Sequence, residues 1–189
     1  MLLNLIDKNC AKVILFLAIS PGSRYSRKEI KERAMINNVP LDTALNKLLT
    51  LSLLKEEKRI YSLNIESAAV KEILRERSRI SNLPLKIQFL LLDFIGNASK
   101  TRGIKKIILF GSYSKLIFTE NSDIDLAVVL GKKIKNLAKI EKSIHALSEK
   151  ISKKNKKVIQ IHFFSEDDLK HKEDPLIKDI LRNGVNLTE

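Results

Sequence analysis

The chain has 189 residues, 44% of them hydrophobic and 30% charged, with no Trp and a formal net charge of +13. This composition folds rather than staying disordered, and its length suits one large domain or two small ones. The single cysteine, Cys10, excludes an intramolecular disulfide framework and a cysteine-based zinc site, and it fits a reducing, cytoplasmic setting.

The surplus charge favours a polyanionic partner, but it is spread along the chain. Residues 1–65 hold 11 basic and 6 acidic residues, 66–103 hold 7 and 4, and 104–189 hold 17 and 12, so no single binding stripe can be assigned. The opening stretch, MLLNLIDKNCAKVILFLAIS, is apolar enough to suggest a leader or a membrane span. Asp7, Lys8 and Lys12 interrupt it, and no basic flank or small-residue cleavage site accompanies it. Its uninterrupted part, Val13 to Ile19, is too short to cross a bilayer. The expectation is a buried helix, no membrane partner, and Cys10 as a structural thiol.

Pro21-Gly22-Ser23 stops that helix, and Ser26-Arg27-Lys28-Glu29 is a capping-box pattern that starts a second, running to about Ile36 before Asn37-Asn38. Pro40 suits the first turn of a third helix, in which Leu41, Ala44, Leu45, Leu48 and Leu49 fall at helical spacing. The charged run 55–59 followed by Ile60-Tyr61-Ser62-Leu63 reads as a hairpin. Three helices and a hairpin over residues 1–65 resemble a winged helix-turn-helix domain. The resemblance implies a third helix in the major groove of double-stranded DNA, exposing Asp42, Thr43, Asn46, Lys47 and Thr50, with Lys58 and Arg59 on the wing. A module that only packs against a protein partner or dimerises is the alternative.

Residues 66–84 read as a helical connector with alternating charges, broken at Leu83-Pro84. From Pro84 a helix carries Ile87, Leu90, Leu91, Phe94 and Ile95 on one face, and Gly103 is expected to end it. From Lys105 strands and helices alternate. The fold class is therefore α+β, with a C-terminal domain over 85–189 built on a small mixed sheet flanked by helices.

Within that domain the apolar strand Ile107-Ile108-Leu109-Phe110 runs straight into Gly111-Ser112. A glycine after a strand lets the backbone approach a phosphate, and amides at a following helix start point at it. Ser112 adds a hydroxyl, and Lys115, one turn on, adds positive charge. The next strand begins Asp123-Ile124-Asp125, and the two-residue period places both carboxylates on one face. Like charges so close call for a cation, and magnesium is the expected one, since one or two carboxylates plus substrate phosphates usually hold it.

The stretch LFGSYSKLIFTENSDIDLAVV, residues 109–129, resembles the DNA polymerase beta nucleotidyltransferase superfamily, in particular its small archaeal and bacterial members. The resemblance implies that Gly111 and Ser112 form the triphosphate loop and that Asp123 and Asp125 are the metal ligands and catalytic carboxylates. It implies transfer of a nucleoside monophosphate from Mg-NTP to a hydroxyl. Two departures stand out: Leu116 occupies a position where the family usually has glycine, and the later strand that carries a third carboxylate in the superfamily here reads KVIQIHFF. Its polar face offers Gln160 and His162 to the cleft. Gln160 cannot accept a proton near neutral pH and His162 can, although a satisfied strand histidine is the plainer expectation. Ser165-Glu166-Asp167-Asp168 reads as a capped helix start. Three functions follow: a working nucleotidyltransferase, a regulator that binds nucleotide and DNA without turnover, and an antitoxin-like protein that engages a small helical partner.

Overall fold

A computed structural model describes residues 7–75, 79–131 and 136–188. The chain divides into two compact units between residues 78 and 79. The expected connector, 66–84, is thus shared between the two, and its residues 76–78 lie outside the described residues, as do residues 1–6 of the expected first helix. Among the described residues no helix is long and apolar enough to cross a membrane.

In the N-terminal unit, helix α1 (Lys8–Ala18) starts where the Asp7 carboxylate accepts the Asn9 and Cys10 amides at 3.0 and 3.1 Å. It buries Cys10, Val13, Ile14 and Leu17. The Cys10 thiol donates to Asp7, and burial, reinforced by that carboxylate, pushes it up to about 12, so it is an inert structural group. The sequence-level capping box forms as expected: Ser26 caps helix α2 (Arg27–Ala34), and the Glu29 carboxylate accepts the Ser26 amide at 2.7 Å. Met35, with φ of 54°, stops α2. Helix α3 (Asn38–Thr50) lays Leu41, Ala44, Leu45 and Leu48 against α1, while Leu49, expected in the same stripe, is only half-buried. Strand β1 (Tyr25–Ser26) joins the hairpin of β2 (Leu54–Glu57) and β3 (Ile60–Leu63) in an antiparallel sheet of order β1-β3-β2. Helix α4 (Ala68–Arg75) follows.

The C-terminal unit opens with a short 3₁₀ turn, Arg79–Asn82, and helix α5 (Leu85–Ala98), capped at Pro84. The helix ends at Ala98 and not at Gly103. The Asn97 side chain donates its Nδ2 to the Asp93 carbonyl at 2.7 Å, and the Thr101 backbone amide closes a turn onto Ala98. Gly103, with φ of 104°, turns the chain into the next strand instead.

The remaining elements are β4 (Ile104–Phe110), α6 (Gly111–Lys115), β5 (Ile124–Leu130), α7 (Leu137–Asn155), β6 (Ile159–Ser165), α8 (Pro175–Asn183) and β7 (Val185–Asn186). They form one mixed sheet of order β6-β5-β4-β7, in which only β5 and β6 are parallel, with α7 as their crossover. Alternation along the strands sends Ile107, Leu109, Ile124, Leu126, Val128 and Ile159 to one face, where they meet α5 and α7 around Phe94. Full burial of one such large apolar side chain is worth about 1.5–3 kcal/mol. Lys154 of α7 and Asp93 of α5 form an ion pair across that layer at 3.5 Å. On the opposite face Ile108, Phe110, Ala127 and Val129 are covered by Ile180 of α8.

Neither α8 nor β7 was expected from the sequence. Asp174 caps α8 by accepting the Leu176 and Ile177 amides, and Gly184 ends it. A Cβ on Gly184 would stand 2.2 Å from the Ile180 carbonyl oxygen and 2.7 Å from an Ile108 methyl. Gly184→Ala is therefore expected to cost about 1–3 kcal/mol, as overpacked positions do, read as a lower denaturation midpoint. Unchanged stability would show that α8 does not need this close approach.

Candidate nucleotide site

The site grows from strand register. Phe110 stands opposite Asp125 in the β4–β5 ladder, and Asp125 stands beside Gln160 in the β5–β6 ladder. The next pair along, Ala127 and His162, shares that face. Asp123 lies two residues before Asp125, just ahead of the strand. Alternation and pairing thus bring Asp125, Gln160 and His162 to one face of the sheet, and the hydrogen bond from Gln160 brings Asp123 beside them.

Gly111 begins α6 with φ of 70°, and a Cβ there would sit 2.2 Å from the Asp125 Oδ2. Two independent demands therefore fall on one residue, a left-handed backbone and an empty side-chain position. Ser112 follows in the first turn of α6, its carbonyl accepting the Ile117 amide at 3.1 Å. Burial raises the Asp125 carboxyl above its ordinary 3.8, the His162 charge opposes this, and the Asp123 carboxylate adds to it. Gln160 Nε2 donates to Asp123 Oδ2 at 2.6 Å. His162 packs edge-on against Phe110 with ring centroids 5.3 Å apart, so its ring is held by an aromatic neighbour as well as lying near Asp125.

The loop that delivers Asp123 is fixed by contacts that the sequence did not advertise. Tyr113, 2% exposed, stacks on Phe118 at 4.4 Å with rings nearly parallel. Lys157 lies over the Tyr113 ring and donates to the Glu120 carbonyl at 2.6 Å. The Ser122 hydroxyl accepts the Thr119 amide at 2.8 Å. Lys115, expected to face phosphates, instead pairs with Asp179 of α8 at 2.9 Å, and this bond holds the Asp179 carboxyl below the usual range. Asp179 carried no signal of its own. Only an amphipathic reading of α8 after the start signal Asp174-Pro175 could have placed it on the face turned to α6. Beyond β6, Ser165 and Asp168 cap one another as expected, but the helix they start is a single 3₁₀ turn, Asp168–Lys170.

Leu116 closes α6 with φ of 60° and ψ of 29°. The position that differs from the family pattern is thus one where the backbone is left-handed and glycine is the unstrained choice.

The DNA-contact residues expected in the N-terminal unit fall on α3 and on the hairpin tip. On α3, Asp42 is bonded by Arg27 at 2.6 and 2.9 Å, Lys47 pairs with Asp7 at 3.2 Å, and the Thr43 and Thr50 hydroxyls donate to the Val39 and Asn46 carbonyls of their own helix. Lys58 and Arg59 form the exposed tip between β2 and β3, and Asn46 is exposed.

Among the described residues no group of three His, Cys, Asp or Glu side chains is arranged to hold a metal ion. The residues present offer a hard cation two half-buried carboxylates, one of them charge-destabilised, beside a glycine from which nothing projects. That donor set fits one cation completed by phosphate oxygens and water, and it does not fit a second.

A family model described as polymerase beta, nucleotidyltransferase matches residues 94–189. No curated protein matches the chain. Among solved structures, the crystal structure of a toxin–antitoxin with AMP-PNP is 26% identical, covering 54% of this chain and 69% of that one at a TM-score of 0.33.

Two outcomes follow from the local physics. Because the folded-state value of Asp125 is raised, the stability linked to its neutral form is full below the ordinary 3.8 and is lost as pH rises through the raised value. Asp125→Asn, which stays neutral, is expected to melt higher than the parent chain at pH 7, without added cation, and to converge with it as pH falls through the carboxylate range. A difference independent of pH would contradict the charge explanation. Separately, Leu116→Gly should be more stable than Leu116→Ala by about 1 kcal/mol, since only the alanine keeps a Cβ in the left-handed region; equal urea midpoints would remove the strain argument.

Proposed function

Because the chain belongs to the polymerase beta nucleotidyltransferase family, we propose that its C-terminal unit binds a magnesium–nucleoside triphosphate and transfers the nucleoside monophosphate to a hydroxyl. The observation that carries this reading is the contact between Gly111 and Asp125. The Asp125 carboxylate, a ligand for the cation, lies directly against the backbone turn that would carry the phosphates. Asp123 and Asp125 would hold the ion. When bound, it would neutralise triphosphate charge and favour departure of pyrophosphate.

The chain's own residues supply the rest. The turn at Gly111-Ser112 would present its backbone to the phosphate oxygens, and the Ser112 hydroxyl would add a donor. Lys115 is within the same short helix, and releasing Asp179 would free its ammonium for the triphosphate. In the transfer, the bond from the α-phosphorus to the bridging oxygen of pyrophosphate breaks as the acceptor oxygen bonds to phosphorus. The acceptor's proton must leave, and Gln160 cannot take it. His162, on the same strand face, is the group that can.

One observation favours a second reading, nucleotide binding without turnover. Gln160, which the resemblance sets where a third carboxylate is expected, is hydrogen-bonded to Asp123. In that reading the protein is a regulator, or an antitoxin-like partner of a small helical protein. In either reading we propose that the N-terminal unit is a winged helix that contacts double-stranded DNA. Its order of helix, strand, two helices and hairpin supports this.

Calorimetry of full-length protein with NTP and magnesium is expected to show saturable binding that weakens at least about 10-fold in Asp123→Asn/Asp125→Asn. Labelled NTP then separates the readings: transfer of label to an acceptor, lost in the same variant, supports the enzyme, whereas binding alone supports the regulator. Absence of magnesium-dependent binding would falsify both.

A further inference from the structure

The hairpin tip carries a cost that its fold does not explain. Glu57 pairs with Ile60, so the loop between β2 and β3 is only Lys58-Arg59, and both residues are left-handed, with φ of 52° and 64°. Two-residue hairpin loops of this kind select Asn-Gly or Asp-Gly because φ is positive at both positions. Here two long cationic side chains sit in their place. Both are exposed. Among the described residues neither forms an ion pair, so no local contact accounts for keeping them. The glutamates before them are already engaged, Glu57 with Arg24 at 2.5 Å and Glu56 with the Tyr61 hydroxyl. Strain held at an exposed position without a local partner points to a contact made outside the chain.

Helix α3 shows the opposite pattern. A helix that reads base edges needs side chains free to reach them. Asp42 is held by Arg27, Lys47 by Asp7, and the two threonine hydroxyls by their own helix backbone. Asn46 is the only one of the expected contacts on α3 with an uncommitted side chain among the described residues. Val39, beside them near the helix start, is 77% exposed and apolar.

Resting on the reading of the N-terminal unit as a DNA-binding module, we infer that Lys58 and Arg59 at the hairpin tip make its principal contact, with the phosphate backbone of duplex DNA, and that α3 reads no sequence. The association is electrostatic, sequence-independent and steeply weakened by salt. The net charge of +13 assists it from a distance.

The test uses the full chain and two unrelated 30-base-pair duplexes across a salt series. In Lys58→Asn/Arg59→Gly, the turn receives the residues its backbone favours and loses both charges. Its melting midpoint should rise by about 2–4 °C, while the slope of log affinity against log salt falls by about 1.8, the share of two phosphate contacts. Lys150→Asn/Lys153→Asn removes the same charge from exposed positions on α7, and Thr43→Ala/Asn46→Ala changes α3 without altering charge. Both should leave the salt slope as it is, and the two duplexes should bind alike. A tip variant that melts higher but keeps its salt slope overturns the inference and leaves the DNA-binding reading standing, as does discrimination between duplexes that the α3 variant abolishes. No salt-dependent binding by the parent chain overturns both.

Discussion

The carboxylate of Asp125 occupies the space that a side chain at position 111 would fill, and the C-terminal unit is arranged around that fact. A strand must deliver residue 110 opposite residue 125, the chain must then turn with positive φ, and nothing but hydrogen can project from the turn. The register that satisfies this also sets Gln160 beside Asp125 and His162 beside Ala127. The opposite face of the same strands supplies the apolar layer under α5 and α7. Site and core are thus the two sides of one alternation, and a one-residue slip would destroy both together.

Groups that the site would present to a nucleotide are, in the protein alone, already engaged by neighbours. Gln160 engages Asp123, and Asp179 engages Lys115. Asp125 sits in an environment that raises its pKa, with burial the main cause. An arrangement of this sort trades some stability for readiness to accept a cation. On the proposed function, binding a triphosphate and its ion would exchange the protein's internal pairs for pairs with the ligand, and α8, which carries Asp179, would lose its ion pair with Lys115.

The local motifs were legible because each rests on chemistry confined to a few residues. The Ser26–Glu29 capping box, the helical stripe from Leu41 to Leu48 and the strand entering Gly111 are seen as read, while the strand expected to begin at Asp123 begins at Ile124. What escaped depends on partners distant in the chain or on backbone states that residue type does not advertise. Asp179 acquires meaning only from Lys115, and β7 only from β4. Leu116, Lys58 and Arg59 adopt left-handed conformations that glycine or asparagine would have announced and that these residues conceal. Gly103 misled in the other direction: its positive φ serves entry to a strand and not the end of a helix.

The pairing of β4 with β7 bears on how the chain acquires its structure as it is made. The N-terminal unit, whose pairings reach as far as Tyr25 with Tyr61, can close once β3 has emerged. In the C-terminal unit, β4 gains its β7 edge only once Asn186 can reach Ile108, and β5 must wait for the whole of α7 before meeting β6 in parallel. Such long-range closures are slow. During synthesis one side of β4 is therefore an open edge until the last elements of the unit arrive, and a finished N-terminal unit precedes a nascent sheet that is completed late.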